Sequence, residues 1–113
     1  MTTTGGDRAI VLLVELFVHP GRVAEFRRFE TEAARIMRRR CGRIERVIRP
    51  TDPARGDALP HEIHLVSFPS AAGLEAYRTD PKLRALAPLR ESAIARTEVT
   101  VGTDGEPYPR DAA

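Results

Sequence analysis

Two of the three histidines of this 113-residue chain lie three residues apart, in the segment PHEIHLVSFPS at residues 60–70. Glu62 stands between His61 and His64, so a metal site is the first hypothesis to test. Side chains alternate along a β-strand, so these histidines would point to opposite faces of a sheet and could not chelate one ion. The chain has one cysteine, and no other spacing resembles a zinc site. We therefore expect no metal, and we expect His64 to be the histidine that matters.

Glu15 is the second candidate, because it lies inside the most apolar segment of the chain, RAIVLLVELFV at residues 8–18. A buried carboxylate costs several kcal/mol unless it is paired or protonated. If Val18 opposes His61 across two antiparallel strands, Glu15 opposes His64. Alternation along the strand predicts that Glu15 faces away from the helices, together with Val11, Leu13 and Phe17.

A carboxylate beside an imidazole orients the ring, and such a pair can act as a general base near neutral pH. The sequence therefore predicts a Glu15–His64 catalytic pair. Two alternatives remain open: the pair satisfies only itself, or Glu15 binds Arg49 or Arg96 instead. Networks of ion pairs of that kind occur without any catalytic role.

The charge pattern argues against a nucleic-acid partner. The formal net charge is only +2, although the isoelectric point is about 9.2. The densest basic stretch, RIMRRRCGR at residues 35–43, falls on the polar face of a predicted helix, where Glu32 precedes Arg35 by three residues. A sheet that binds RNA would need exposed aromatic residues on its central strands, and EIHLVSF does not supply them. We expect a solvated helix face.

The sequence also indicates whether the protein meets a membrane and which compartment it occupies. The longest apolar run of the chain, at residues 9–14, is too short to span a bilayer. The first residues, MTTTGGDR, lack the basic and apolar regions of a signal peptide. A single cysteine cannot form an intrachain disulfide. We therefore expect a cytoplasmic protein without membrane contact.

The first half of the chain predicts two strands, a helix and a long loop. Residues 8–18 form a buried strand, and apolar residues recur by threes and fours over residues 20–41, as in an amphipathic helix that Gly42 terminates. Residues 43–49, RIERVIR, alternate as in a half-buried strand. Residues 50–60 contain three prolines, and we expect this loop to be a mobile lid near a pocket mouth.

The second half predicts the remaining elements. Residues 61–68 form the third strand, and Ser70 is the expected N-cap of the second helix. Asp80, followed by proline, caps a short continuation of that helix. After Pro88 the chain is expected to return directly to a last strand at about residues 94–101.

This β-α-β-β-α-β order predicts a ferredoxin-like α+β fold: a four-stranded antiparallel sheet with both helices on one face. The first strand is apolar on both faces, so both must be covered, and one chain supplies helices for only one. A second copy is the expected cover, which predicts a homodimer. We expect a domain at residues 8–101, a flexible arm at residues 1–7 and a flexible tail at residues 102–113.

Four segments carry a resemblance to a known group: VHPGRVAEF, VSFPSAAGLEAY, DPKLRALAP and IARTEV. In this order and spacing the chain resembles the dimeric α+β barrel superfamily, which includes antibiotic-biosynthesis-type monooxygenases and muconolactone isomerases. The likeness is greatest to its uncharacterised small bacterial members. The haem-degrading branch is a poor match, because its pattern uses a Trp and this chain has none.

The resemblance implies a ligand pocket and a cofactor-independent enzyme that oxygenates, isomerises or cyclises a cyclic or polyketide-like compound. Glu15 and His64 would supply the acid–base chemistry, Arg49 or Arg96 would stabilise an oxyanion, and the expected substrate-binding residues are Arg49, Arg96, Phe17 and Tyr77. The alternative is a non-catalytic ligand-binding or structural dimer. An open cavity that holds Glu15 and His64 would favour catalysis, and a filled barrel would favour the alternative.

Overall fold

The computed structural model describes residues 9–52 and 54–109, and within them it has the predicted ferredoxin-like order. The predicted arm at residues 1–7 lies outside the described residues. The elements in chain order are β1 Ile10–Val18, α1 Val23–Arg39, β2 Arg43–Ile48, a 3-10 turn at Gly56–Ala58, β3 Glu62–Phe68, α2 Ala71–Arg78, α3 Pro81–Arg84, α4 Ala87–Ala93 and β4 Ile94–Gly102.

The four strands form one antiparallel sheet in the order β2-β3-β1-β4. Apolar side chains from one face of this sheet pack against the helices. Leu16 of β1 joins a core with Phe26 and Phe29 of α1, and Leu12 joins a second core with Phe68 of β3. The predicted α+β architecture is confirmed.

Helix α1 ends in a way that differs from the prediction for Gly42. The residue with left-handed backbone is Cys41, with φ 67°. The Gly42 amide donates to the Met37 carbonyl at 2.9 Å and the Cys41 amide donates to the Arg38 carbonyl at 3.0 Å, which is the Schellman arrangement. Gly42 is required for packing instead, because a Cβ there would overlap the Phe68 ring and lie 2.6 Å from Met37 Cγ.

The segment before the last strand corrects a prediction. Pro88 was expected to begin an extended return, but it lies in the first turn of helix α4. Proline lacks only a hydrogen-bond donor that the first helical turn leaves unused, so it favours a helix start as readily as a break. The two predicted caps are confirmed: Ser70 accepts from the Gly73 amide at 3.3 Å and Asp80 accepts from the Lys82 amide at 2.8 Å.

The register of β1 and β3 contradicts the predicted Glu15–His64 pair. His64 lies opposite Val14, and Glu15 lies opposite Ile63. The assumed register was wrong by one residue, and a shift of one residue turns every side chain of a strand to the other face. His64 therefore faces the helices, whereas Glu15 faces the side of the sheet that no described helix covers.

That uncovered side, called here the open face, is largely apolar at its centre. It consists of half-buried residues on the two central strands: Val11, Leu13, Glu15 and Phe17 on β1, and Ile63, Leu65 and Ser67 on β3. The sheet is thus apolar on both sides, as its sequence predicts.

Candidate active site

A cavity of about 260 Å³ lies between the helix-facing side of the sheet and the helices. Its walls are mainly aliphatic and aromatic, with Leu12, Val14 and Leu16 of β1 opposite Phe29 and Met37 of α1. Six polar side chains also reach it: Glu30, His64, Tyr77, Arg78, Arg90 and Thr97. An apolar cavity with a few convergent polar groups is the usual form of a small-molecule site.

His64 is the centre of a buried chain of polar contacts. Its side chain is only 5% exposed, and its Nε2 lies 2.8 Å from Glu62 Oε1. The other ring nitrogen, Nδ1, lies 3.6 Å from Glu30 Oε1. The second oxygen of Glu62 accepts a hydrogen bond of 2.9 Å from Arg49 Nε. Four side chains from β2's end, β3 and α1 are therefore linked in the order Arg49, Glu62, His64, Glu30.

Glu62 is held as a carboxylate. Burial alone would raise its pKa, but the hydrogen bonds from His64 and Arg49 outweigh burial and hold the pKa of Glu62 below its ordinary value. An ionised carboxylate only accepts hydrogen bonds, so His64 Nε2 carries the proton in this contact. The unprotonated nitrogen of a neutral His64 ring is then Nδ1, on the side of Glu30.

The neighbouring groups are shifted toward their protonated forms. Burial raises the pKa of Glu30; positive charge on His64 opposes the rise, the Glu62 carboxylate adds to it, and Arg90 opposes it. Burial, assisted by the charge of Glu30, raises the pKa of Tyr77 to about 12. The Tyr77 hydroxyl therefore stays protonated at neutral pH and can donate a hydrogen bond into the cavity.

Six site residues were predicted from the sequence, and two of them, His64 and Tyr77, line this cavity. Glu15 lies on the open face, so the predicted pairing with His64 is wrong. The alternative ion pairs of Glu15 are not formed either, because Arg49 binds Glu62 and Arg96 binds Glu98 at 2.8 Å.

Arg96 and Phe17 form a separate contact, outside the cavity. The Arg96 guanidinium lies 3.9 Å from the centre of the Phe17 ring, and the two residues are opposite each other on β4 and β1. Arg49 does not line the cavity, and reaches it only through Glu62 and His64. The basis for assigning oxyanion stabilisation to Arg49 or Arg96 is therefore lost.

Glu30, Glu62 and Arg90 were not among the site residues predicted from the sequence. Two of the three left a signal. Glu30 stands four residues after Phe26 and three before Ala33, both of which are buried, so it interrupts the apolar stripe of α1. Glu62 precedes His64 by two residues, and alternation puts residues two apart on one face of a strand. Arg90 left none, because the sequence predicts a direct return to the last strand after Pro88, where the structure has helix α4.

The loop at residues 50–60 lies beside a different cavity. Pro50, Asp52 and Leu59 line an open cleft of about 610 Å³ together with Phe17 and His61. This cleft adjoins the end of β1 and does not include His64. The loop is next to a cleft, as predicted, but not next to the cavity with the buried polar chain; its mobility stays a prediction.

His61 plays no part in the polar chain. It precedes β3, and its ring contacts Phe26 edge-on with 5.4 Å between ring centres. The two histidines therefore occupy separate surroundings. Within the described residues, no group of three or more His, Cys, Asp or Glu side chains could hold a metal ion. In residues 9–52 and 54–109, no helix has the length and apolar character needed to cross a membrane.

Known structures share the fold at low sequence identity. A protein of unknown function from Rhodopseudomonas palustris aligns with a TM-score of 0.78 at 14% identity, over 89% of this chain and 85% of its own. SnoaB, a cofactor-independent oxygenase from Streptomyces nogalater, aligns with a TM-score of 0.68 at 16% identity, over 91% and 99%.

A NIPSNAP-like domain protein from Burkholderia xenovorans aligns with a TM-score of 0.65 at 18% identity, over 91% of this chain and 90% of its own. No family profile matches the chain, and neither does any curated protein sequence. At these identities the likeness shows the fold alone, and that fold is the one that the resemblance implies.

Proposed function

We propose that the cavity is an acid–base site for a small cyclic compound, and that the protein is a cofactor-independent enzyme. The reaction begins with proton abstraction and continues by oxygenation, isomerisation or cyclisation. The observation that carries this proposal is the buried Glu62–His64 pair, whose other ring nitrogen, Nδ1, lies 3.6 Å from the carboxyl group of cavity-lining Glu30. The cavity contains His64 but not Glu15, so only part of the arrangement that the sequence predicts for catalysis is present.

In the proposed step, His64 Nδ1 takes a proton from an acidic C–H next to a carbonyl group of the substrate. The electron pair of that C–H bond moves onto the carbonyl oxygen and forms an enolate. Glu62 stabilises the imidazolium through its hydrogen bond at Nε2, as the carboxylate does in other base–orienter pairs. Tyr77 is a cavity-lining donor available to the enolate oxygen.

The enolate can then follow one of three routes. Return of the proton from His64 to another carbon isomerises the substrate. Attack of the enolate carbon on an internal electrophile closes a ring, and the anion so formed takes the proton from His64. Addition of O₂ to the enolate carbon forms a C–O bond and a peroxide anion, which takes the proton from His64 and becomes a hydroperoxide. The shared fold of SnoaB, described as a cofactor-independent oxygenase, supports the third route, although at 16% identity the likeness extends to the fold alone.

Arg49 is a positioning residue in this proposal. It holds one oxygen of Glu62, and the other oxygen is thereby directed to His64. Its own side chain is 66% exposed, so water screens its charge and its main effect is on geometry.

A second copy of the chain is proposed as the cover of the open face. The half-buried apolar centre of that face and the absence of a helix over it among the described residues support this homodimer, as does the dimeric superfamily that the sequence resembles. Light scattering should give twice the chain mass of 12.5 kDa. Leu65→Arg, at the centre of the face, should give the single mass, and a monomeric wild-type protein would contradict the proposal.

The acid–base step can be tested without knowing the natural substrate. The probe is 2-tetralone, a neutral two-ring ketone with acidic C–H bonds, dissolved in D₂O. Proton NMR should show that the wild-type protein accelerates loss of the C1 proton signals. His64→Gln should reduce this acceleration about 100-fold or more, and His19→Gln, which alters an exposed histidine in the turn after β1, should not.

Two results would count against the proposal. Equal acceleration by His64→Gln and the wild-type protein would remove His64 as the base. If the wild-type protein accelerates nothing, the non-catalytic ligand-binding alternative is favoured instead.

A further inference from the structure

Arg90 is a cation in the cavity lining that forms no ion pair with the described residues. Arg90 lines the cavity and is exposed to solvent, and its Nη2 donates to Thr97 Oγ1 at 3.1 Å. Among the described residues, no carboxylate oxygen lies within the 4.0 Å of Arg90 that defines an ion pair. By contrast, Arg49 and Arg96 each bind a glutamate.

The carboxylates near the cavity do not neutralise this charge. Glu62 is already bound by Arg49 and His64. Glu30, the carboxyl group in the lining, lies 3.6 Å from His64 Nδ1 and forms no ion pair with Arg90. The rim also contains Arg78. The mouth of the cavity therefore favours a negatively charged group, since a guanidinium can bind both oxygens of a carboxylate at once.

The interior sets a size limit. An apolar cavity of about 150 Å³ holds benzene, and this one has about 260 Å³, or somewhat less than twice that volume. Pockets for drug-sized ligands begin at about 300 Å³. One ring or two fused rings fit this space, and three fused rings exceed it. The walls around Phe29, Phe68 and Leu74 are apolar, as a ring requires.

From these observations we infer that the cavity binds an aromatic or alicyclic carboxylic acid of one or two rings. The rings occupy the apolar interior and the carboxylate meets Arg90 at the rim. This inference rests on the proposed function in that it assigns a substrate class to the same site. It adds a charge requirement and a size limit that neither the fold nor the acid–base pair implies.

Three commercially available probes test both requirements. 2-Naphthoate has two rings and a charge, 2-naphthamide has the same shape without the charge, and 2-anthroate has the charge on three rings. Titration by fluorescence or calorimetry should show that 2-naphthoate binds the wild-type protein about tenfold or more tightly than 2-naphthamide. Binding of 2-anthroate should be at least tenfold weaker than binding of 2-naphthoate.

Arg90→Gln should remove the preference for the acid over the amide, and Arg84→Gln is its matched control. Arg84 is an exposed arginine of α3 and is not among the residues that line the cavity. The NMR signals of the His64 ring should shift when 2-naphthoate is added, whereas those of exposed His19 should not, which places the probe in the cavity.

Each binding result has a defined consequence for the inference. Equal binding of acid and amide, or unchanged binding by Arg90→Gln, overturns the charge requirement, and tight binding of 2-anthroate overturns the size limit. Failure of all three probes to bind overturns the inference as a whole. The proposed acid–base function is judged separately, by the exchange of neutral 2-tetralone, so the two can fail independently.

Discussion

Replacing Glu62 by glutamine tests the buried polar chain at the residue that joins its two halves. The carboxylate accepts from Arg49 Nε at 2.9 Å with one oxygen and contacts His64 Nε2 at 2.8 Å with the other. A glutamine side chain has one acceptor oxygen and an NH₂ group that only donates. Glu62→Gln therefore leaves one of the two donors facing another donor, at nearly unchanged side-chain volume.

The expected loss of stability can be worked from these two contacts. A hydrogen bond to a charged group contributes about 1.5–3 kcal/mol, and a neutral one about 1 kcal/mol. The His64 contact is buried, so reducing or losing it costs about 1–2 kcal/mol. The Arg49 side chain is 66% exposed, so its share is about 0–1 kcal/mol. Glu62→Gln should lower the free energy of unfolding by about 1–3 kcal/mol at neutral pH.

The pH dependence has a defined sign. Burial would raise the pKa of Glu62, but the bonds from His64 and Arg49 lower it below its value in the unfolded chain. The unfolded state therefore binds the proton more tightly, and the carboxylate stabilises the fold above the unfolded pKa of about 4.3. That contribution disappears as the pH falls through the folded pKa, so the difference between the wild-type protein and Glu62→Gln should shrink in acid.

Urea unfolding followed by circular dichroism at one protein concentration measures this difference, at neutral pH and again below about pH 4. The matched control is Glu32→Gln, which breaks an exposed pair with Arg35 of 2.6 Å on the surface of α1. The control should change stability by about 0.5 kcal/mol or less. The reasoning is refuted if Glu62→Gln costs no more than the control, or if its cost is the same in acid.

Three further substitutions have defined outcomes. Glu30→Gln should make the protein more stable at neutral pH. Burial raises the pKa of Glu30, so ionisation of this group opposes folding at any pH above its pKa in the unfolded chain. Thermal unfolding should show the gain disappearing near pH 4, and no gain at neutral pH would contradict the burial argument. Gly42→Ala should lower the free energy of unfolding in urea by about 1–3 kcal/mol, because the alanine Cβ would overlap side chains of β3 and α1. The control Gly102→Ala should be nearly neutral, because open space surrounds that position. Cys41→Gly should raise the unfolding free energy by about 1 kcal/mol, because glycine adopts its φ of 67° without strain; a loss would show that the left-handed residue is not strained.

The architecture was predictable because it rests on periodicity. The apolar run of β1, the alternation in β2 and the three-and-four spacing in α1 locate those elements to within about three residues of their observed ends. The missed element was α4, because the same proline can begin a helix or end one. Tertiary packing decides between a helix start and a helix end here: Ala93 of α4 is fully buried in the core with Phe26 and Phe29.

The catalytic pair was not predictable, since the hydrophobic pattern of β1 and β3 does not fix their register. Ile63 and Leu65 on one side of β3 are as apolar as Val66 and Phe68 on the other, and β1 is apolar throughout. Register is strongly specified only where one face is clearly the buried one. Shifting the register of β1 against β3 by one residue therefore changes the match of apolar residues little. The shift nevertheless puts Glu15 and His64 on opposite faces of the sheet.

The corrected register changes which parts of the molecule the chemistry depends on. A site built on Glu15 would have lain on the open face, and a second copy would have completed it. The polar chain from Arg49 through Glu62 and His64 to Glu30 comes from one copy and faces that copy's own helices. Pairing through the open face would therefore support the sheet from behind, holding β3 in place without contributing a group to the cavity. On this reasoning, assembly affects the site through the rigidity of the strand that bears His64, and the acid–base groups are complete in each chain.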